Sequence, residues 1–164
     1  MKPLENIDHS AIKVSQVFVI SLNILAFALN LPWLAALVAI TMLLGALTNT
    51  PGFGLIYRAA LKPLGWVKPD IRQDHPEPHR FSQGLGSIFM LAGSAALFLG
   101  APLLGWALVW LVTGLAALNL FAGFCVGCML YYWLSRWNVP GFRQAPPAGI
   151  LPGMRPRKQV QNES

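Results

Sequence analysis

Two long stretches without a charged side chain dominate the polarity pattern of the chain. No Asp, Glu, Lys, Arg or His occurs at positions 14–50 or 81–135. About 20 residues of α-helix cross the hydrocarbon core of a bilayer, so each stretch is long enough for two crossings joined by a turn. Proline-containing turn signals occur near the middle of each stretch, at positions 30–32 and 100–102. The pattern therefore predicts four transmembrane helices, arranged as two hairpins.

The two predicted hairpins, residues 14–48 and 81–135, begin with similar sequences. Residues 12–16 read Ile-Lys-Val-Ser-Gln and residues 79–83 read His-Arg-Phe-Ser-Gln. Two copies in the same orientation are related by an axis along the membrane normal, as in parallel-repeat membrane folds. We therefore predict an all-α integral membrane fold made of two parallel helical-hairpin repeats. Gln16 and Gln83 would lie at equal depth, where their amides either pair across the axis or sit among the headgroups.

The segments outside the hairpins are polar or interrupted by proline. In the central loop, residues 49–80, we expect a short amphipathic helix on the membrane surface at residues 53–64 and no regular structure at residues 68–80. The membrane domain is predicted to comprise residues 1–137. Residues 138–164 are rich in proline, glycine and basic side chains, and we expect this tail to be disordered.

Small and polar residues inside the predicted spans indicate how the helices pack. Gly86, Gly93 and Gly100 recur every seven residues in the third span, and such a stripe lets another helix approach closely. We expect that helix to belong to the same chain. The side chains of Asn23 and Asn119 are costly against lipid, so they are assigned structural roles that face other helices.

Composition agrees with the membrane assignment, and the charge distribution predicts an orientation. Apolar residues make up 55% of the chain and charged residues 11%, whereas soluble domains contain roughly a quarter charged residues. All twelve Lys and Arg lie outside the apolar stretches, in segments that an even number of crossings places on one side. Because Lys and Arg collect in the cytoplasm, both termini and the central loop are predicted to be cytoplasmic, in a bacterial inner membrane.

The net charge of +6 is also explained by the predicted location in a membrane. Basic residues beside the spans contact anionic headgroups of the lipid bilayer, and we expect no nucleic-acid partner. The first apolar stretch is longer than a signal-peptide core and continues into a second span, so we expect it to remain as an anchor. His9, which precedes it, is interpreted as a solvated interface residue.

The two cysteines, Cys125 and Cys128, form a Cys-x-x-Cys motif near the end of the second stretch. Residues three apart lie on one face of a helix, so the sulfurs could form a disulfide or half of a metal site. In a reducing compartment this spacing indicates redox or sulfur chemistry. The C-terminal end of a span disfavours a thiolate unless Gly123 and Gly127 break the helix. The alternative is that both thiols are small packing residues.

A metal site is a further interpretation. His75 and His79 lie on the same predicted side of the membrane as Cys125 and Cys128, and two His with two Cys form a ligand set of the zinc type. The metal would be zinc or iron, although the Pro-Glu-Pro between the histidines excludes a helical His pair. Apart from this alternative we predict no cofactor, since we find no nucleophile triad, phosphate loop or paired carboxylates.

Several of these residues resemble a known family. Arg80-Phe-Ser-Gln83, together with Cys125-Val-Gly-Cys128 and Tyr131, is similar to an uncharacterised family of small bacterial membrane proteins, the domain of unknown function 4395 (DUF4395). The resemblance extends to about residue 137. It implies no established activity, and we expect no independent enzymatic activity.

Two kinds of partner follow from the resemblance and the glycine stripe. Some members of the family are associated with thioredoxin-like or rhodanese-like domains, which implies that Cys125 and Cys128 exchange disulfide or sulfur with such a cytoplasmic protein. The alternative is a non-catalytic accessory subunit that packs its glycine stripe against a larger membrane complex.

Overall fold

The structure of the chain is a computed structural model that describes residues 5–48, 52–54, 57, 59, 70–142, 144–146 and 149–156. Within these residues the chain is mostly helical, as predicted. The elements in chain order are β1 (Glu5–Asp8), α1 (His9–Ala28), α2 (Pro32–Leu47), β2 (Ile71–Asp74), α3 (Pro76–Phe98), α4 (Pro102–Ala122) and α5 (Val126–Arg136).

Three of the helices are long and apolar enough to cross a membrane. They are α1 with 20 residues, α3 with 23 and α4 with 21. α2 is also apolar but has 16 residues. At 1.5 Å per residue α2 is about 24 Å long, whereas the hydrocarbon core is roughly 30 Å thick. Large apolar side chains on these helices are exposed, among them Trp33, Phe98 and Leu103. The fold is therefore compatible with a membrane protein.

Short turns join α1 to α2 and α3 to α4 at the two positions that the proline signals predict. Asn30 and Gly100 have positive φ angles of 48° and 79°, a left-handed conformation that Asn and Gly adopt more readily than other residues. Pro32 and Pro102 are the first residues of the helices that follow, where the missing amide hydrogen has no helical acceptor to lose.

The four long helices form a ring in which α1 and α3 each contact both α2 and α4. Asn23 of α1 is 2% exposed, and its Nδ2 donates to Thr113 Oγ1 of α4 at 3.0 Å. This amide thus faces a neighbouring helix, where its hydrogen bond offsets the cost of removing it from water. The buried core around it contains apolar side chains from all four helices, including Val19, Val38, Met90 and Val109.

Two glycines of the predicted stripe are used for packing within the chain. A Cβ at Gly93 would lie 3.1 Å from Gly105 O, and a Cβ at Gly86 would lie 2.9 Å from Met42 Cε. Because Gly93 has no side chain, α4 can pack closely against α3 there. Gly86 allows α2 to pack closely against α3 in the same way. Gly100 instead belongs to the turn after α3.

The polar helix ends meet at one end of the ring, which we call the strand end. β1 leads directly into α1, and β2 leads into α3 after one residue. Arg80, near the start of α3, donates from Nη2 to Ala46 O at the end of α2 at 3.3 Å. The strand end therefore contains β1, β2, the starts of α1 and α3, and the ends of α2 and α4. The two short turns lie at the opposite end.

The prediction that residues 68–80 lack regular structure is wrong for residues 71–80, and a short two-stranded ribbon adds to the mostly helical fold. β2 pairs with β1 in an antiparallel ribbon, with Glu5 opposite Asp74 and Asp8 opposite Ile71. The partner strand lies more than 60 positions away in the sequence, so local polarity cannot reveal it. The Pro-Glu-Pro that appeared to break a helix forms the first turn of α3, where proline is tolerated.

The predicted surface helix at residues 53–64 lies largely outside the described residues. Phe53 and Tyr57 are among its described residues, and both are buried. The Tyr57 hydroxyl donates to Asp8 Oδ2 at 2.8 Å. This contact ties the segment after α2 to the strand end.

The final predicted span is two helices rather than one. α4 ends at Ala122, Gly123 follows with a φ of 67°, and α5 begins at Val126. Glycine adopts this left-handed conformation without a steric penalty, and it commonly ends a helix in this way. The break changes the setting of both cysteines.

Candidate functional site

Cys125 caps the N-terminus of α5. Its backbone is extended, with φ −98° and ψ 103°, and its Sγ accepts a hydrogen bond from Cys128 N at 3.2 Å. The expectation that the motif lies at the C-terminal end of a span is therefore wrong, because Gly123 separates α4 from α5. A helix N-terminus presents unpaired amide hydrogens and a positive dipole end, so it favours a thiolate at Cys125.

Cys125 and Cys128 are joined as a disulfide. Their Cα atoms are 5.2 Å apart, a usual separation for bonded cysteines. The side chains are only 5% and 4% exposed. The structure therefore presents the oxidised state of a buried Cys-x-x-Cys pair.

The second cysteine lies beside a histidine, which in turn contacts a carboxylate. Cys128 Sγ lies 3.6 Å from His79 Nδ1, and His79 Nε2 lies 2.9 Å from Asp74 Oδ2. A carboxylate on one ring nitrogen orients the imidazole and leaves the other nitrogen facing the sulfur. His79 is thus placed to accept a proton from a Cys128 thiol or to return one.

His9 completes this cluster, and the prediction that it is a solvated interface residue is wrong. It is 2% exposed rather than solvated, and its Nε2 lies 3.4 Å from Asp74 Oδ2. Its ring also meets His79 edge to face, with centroids 5.5 Å apart. In the local sequence, only the neighbouring Asp8 indicated that His9 belongs to a helix. The Asp8 side chain accepts a hydrogen bond from Ser10 N at 3.0 Å and so caps α1, which starts at His9.

Asp74 is held as a carboxylate by its surroundings. Burial raises the pKa of Asp74, but contacts with His79 and then His9 lower it by more, so its pKa lies well below the usual range. The backbone amide of His75 also donates to Asp74 Oδ1 at 2.8 Å. The carboxylate is therefore charged at neutral pH and can orient both imidazoles.

The structure brings together three of the four predicted metal ligands. The ligand atoms of His79, Cys125 and Cys128 lie within 4.8 Å of one another. His75 does not join them; it occupies the N-cap position of α3, and its side chain makes no capping hydrogen bond there. A second group with the same spacing consists of His9, Asp74 and His79. In its reduced form the first group would offer one nitrogen and two sulfurs, which fits part of a zinc-type site.

Ser82 and Gly127 bring α5 against α3. Ser82 Oγ lies 3.3 Å from Cys125 Sγ. A Cβ at Gly127 would lie 2.6 Å from Ser82 Cβ, closer than real side chains approach. Gly127 is therefore needed for contact between the two helices, and not for breaking the helix as its motif position suggested.

Part of the predicted disordered tail covers the cysteine pair. Cys125 N donates to Gly153 O at 2.8 Å, and Arg155 N donates to Gly123 O at 2.9 Å. Arg155 Nη2 also donates to Asn119 O at 2.8 Å. Residues 149–156 thus differ from the expectation of disorder. Their contacts are with backbone atoms, which carry no distinctive sequence signal.

A cavity of about 760 Å³ extends from the strand end into the ring of helices. Polar side chains line it beside Cys125, and apolar side chains line its deeper part. The polar set includes Gln16, Ser82, Gln83 and Asn119, and the apolar set includes Val19, Met42, Phe89 and Val112. Of the two alternatives for the glutamines, pairing with each other is not what the structure has, because Gln83 Nε2 donates to Met42 O at 3.1 Å. Gln16 Oε1 is buried and accepts no hydrogen bond from the described residues.

The fold and site define a mostly helical protein with three helices able to span a membrane and a buried Cys-x-x-Cys disulfide at a helix N-terminus. The chain belongs to the family described as domain of unknown function (DUF4395), whose model matches residues 7–136. This match includes His9, Asp74, His79 and both cysteines, and it ends before Gly153. No curated protein and no solved structure matches the chain.

Proposed function

We propose that this protein exchanges disulfides through Cys125 and Cys128 at a membrane surface. The observation that carries the proposal is the placement of the pair, with Cys125 at the N-terminus of α5 and Cys128 beside His79. Reactive cysteine pairs combine a thiolate stabilised by a helix N-terminus with a second thiol whose proton can be moved. Two buried thiols serving only as packing residues would not need the His79–Asp74 pair.

The geometry favours different roles for the two sulfurs. During reduction a partner's thiolate attacks Cys125 Sγ, the Cys125–Cys128 bond breaks, and Cys128 leaves as a thiolate that receives a proton from His79. In the reverse direction His79 takes the proton from Cys128, whose thiolate attacks Cys125 Sγ and releases the partner's thiolate. Asp74 keeps His79 oriented in both directions. Cys125 is thus the attacking thiol and Cys128 the resolving thiol.

The partner that we propose is a cytoplasmic thioredoxin-like or rhodanese-like protein. Association of family members with such domains supports this choice, and a rhodanese-like partner would transfer sulfane sulfur to Cys125 as a persulfide. Because residues 149–156 cover the pair, a protein partner must displace them to reach Cys125.

The proposed membrane arrangement has four crossings with both termini in the cytoplasm. The absence of Lys and Arg from both short turns supports it. The repeat is supported by similar contacts in both halves, since Ser15 Oγ accepts from Phe53 N after α2 and Ser82 Oγ contacts Cys125 after α4. The first half has no cysteine at the corresponding position, so the site occurs once.

Thiol trapping in cells tests the exchange reaction. We expect Cys128→Ser to accumulate a mixed disulfide between Cys125 and a cytoplasmic protein, because the resolving thiol is missing. The matched variant Cys125→Ser should accumulate much less. Since the chain has only these two cysteines, any adduct reports on the pair. Equal trapping by both variants would contradict the assigned roles, and trapping by neither would overturn the proposal.

A metal site at the reduced pair is the second candidate function, and the grouping of His79, Cys125 and Cys128 favours it. Protein purified anaerobically in the reduced state would then contain zinc or iron in a one-to-one ratio. Loss of that metal in His79→Ala, with retention in His75→Ala, would support the site. Metal content that is far below one per chain would exclude it.

A further inference from the structure

We propose that the cavity beside Cys125 binds a lipid-soluble quinone, which accepts two electrons from the reduced Cys125–Cys128 pair. This inference rests on the proposed thiol chemistry and names its second substrate. The observation that carries the inference is that Cys125 lines a large cavity extending among the four helices. Residues 149–156, which contact the backbone of Gly123 and Cys125, are not among the described residues that line this cavity.

The size and polarity of the cavity suit such a ligand. Its volume of about 760 Å³ lies within the usual range for small-molecule sites, roughly 300–1,000 Å³. Its deeper part is lined by Val19, Phe89 and Val112, on three helices long enough to cross a membrane. A ligand that occupies this part must be apolar, since few polar groups there could replace its water. The reactive end of the ligand would lie beside Cys125.

The polar end offers the hydrogen bonds that a quinone head group needs. Gln16 lines the cavity, and its side-chain amide can pair with a quinone carbonyl or a quinol hydroxyl. Asn119 lines the cavity as well, and a side-chain amide of this kind supplies a donor suited to a quinone carbonyl. Gln83 is less suited because its amide already donates to Met42 O. A ligand with a polar head beside the disulfide and an apolar tail along the helices therefore matches the polar and apolar parts of the cavity.

The chemistry of the pair selects a two-electron acceptor. Two thiols that become a disulfide release two electrons and two protons, and a quinone that becomes a quinol takes up the same number. Cys125 thiolate adds to the quinone ring, forming a carbon–sulfur bond. His79 then takes the proton of Cys128, and the Cys128 thiolate attacks Cys125 Sγ. The sulfur–sulfur bond forms as the carbon–sulfur bond breaks, and the electron pair of the broken bond stays on the quinone ring. The two oxygens are protonated, which balances the two protons lost by the thiols. Quinones accept electrons from protein dithiols in bacterial membranes.

The test uses the full chain in nanodiscs of phosphatidylcholine and phosphatidylglycerol, with decylubiquinone as the probe. After reduction and removal of the reductant, we expect decylubiquinone to be consumed as the thiols disappear, one quinone for two thiols. Ala116→Phe, which fills the cavity, should slow this reaction by about tenfold or more because the head group is displaced from Cys125. Gln16→Leu should slow it by roughly threefold to tenfold through the lost hydrogen bond. Leu111→Phe, at an exposed position of the same helix, is the matched control and should react like wild type.

A second acceptor separates failure of this inference from failure of the proposed function. Each variant is also oxidised with glutathione disulfide, a soluble acceptor, which additionally reports whether its cysteine pair is intact. A wild-type pair that reacts with glutathione disulfide but not with decylubiquinone overturns the quinone site and leaves thiol exchange standing. Equal quinone rates for wild type and Ala116→Phe would also overturn it, since the reaction would then occur outside the cavity. A pair that reacts with neither acceptor overturns both proposals.

Discussion

At the scale of single residues, the site depends on one carboxylate that serves two histidines. Asp74 contacts His79 at 2.9 Å and His9 at 3.4 Å, and all three come from the strand end. His79 was a predicted site residue because of its spacing from His75. Asp74 and His9 were not, because nothing in their local sequence distinguishes a buried His–Asp cluster from solvated loop residues.

Asp74→Asn is expected to lower the free energy of unfolding by about 2 kcal/mol near neutral pH, because a buried charge-assisted contact is lost. The pKa of folded Asp74 lies below its ordinary value of 3.8. The stabilisation by Asp74 is therefore present above this ordinary value and is lost as the pH falls through the folded pKa. Thermal unfolding in detergent between neutral and acid pH measures it. A difference between wild type and variant that grows on acidification would contradict the assignment.

His79→Ala should slow resolution of a mixed disulfide at Cys125 by about a hundredfold, since the proton of Cys128 loses its acceptor. His75→Ala is the matched control, because His75 lies outside the cluster around the sulfurs. Stopped-flow measurement of thiol release at several pH values gives both rates. If the two variants slow the reaction equally, His79 has no specific role.

At the scale of elements, the short helix α5 sets the local geometry of the cysteine pair. Its start depends on Gly123, and its contact with α3 depends on Gly127. Both glycines were predicted as possible helix breaks. The sequence could not decide between one long helix and two, because an apolar helix tolerates glycine when packing compensates for it.

Gly127→Ala should destabilise the protein by about 1–3 kcal/mol, because the added methyl overlaps Ser82 and moves α5 away from α3. Gly114→Ala in α4 is the matched control, since nothing lies within 4 Å of a Cβ there. That change should be neutral or slightly stabilising, as alanine favours helix more than glycine. Thermal unfolding of both variants in detergent compares them. Equal stability would show that α5 does not approach Ser82 this closely.

Removing residues 149–164 should increase the rate at which dithiothreitol reduces the disulfide several-fold, because Gly153 O no longer accepts from Cys125 N and the pair is uncovered. Removing only residues 157–164 keeps these contacts and should leave the rate unchanged. Both rates follow from alkylation of the released thiols. If the longer deletion has no effect, the segment does not restrict access to the pair.

At the scale of the whole molecule, the polar residues and the site gather at the strand end. Both strands, α5 and the start of α3 lie there, while the opposite end has two short turns without a charged residue. Under the proposed orientation, this end and the cysteine pair face the cytoplasm.

A membrane-impermeant maleimide is therefore expected to label the reduced cysteines in inverted membrane vesicles and not in right-side-out vesicles. Detergent-solubilised protein should be labelled whichever vesicles it comes from, which controls for buried thiols. Gel shift of the labelled chain is the readout. Labelling only in right-side-out vesicles would reverse the topology and exclude a cytoplasmic partner.

The sequence by itself determined the membrane-compatible helices, the two turns and the family, because partition into lipid and turn formation depend on residues that are neighbours in the chain. The strand pairing, the His9–Asp74–His79 cluster, the cover over the disulfide and the cavity were decided by the tertiary structure alone. Their members are far apart in sequence; Cys128 and His79, for example, are separated by 49 positions. Only packing of the complete helix ring brings such residues within hydrogen-bonding distance, and no local pattern encodes that outcome.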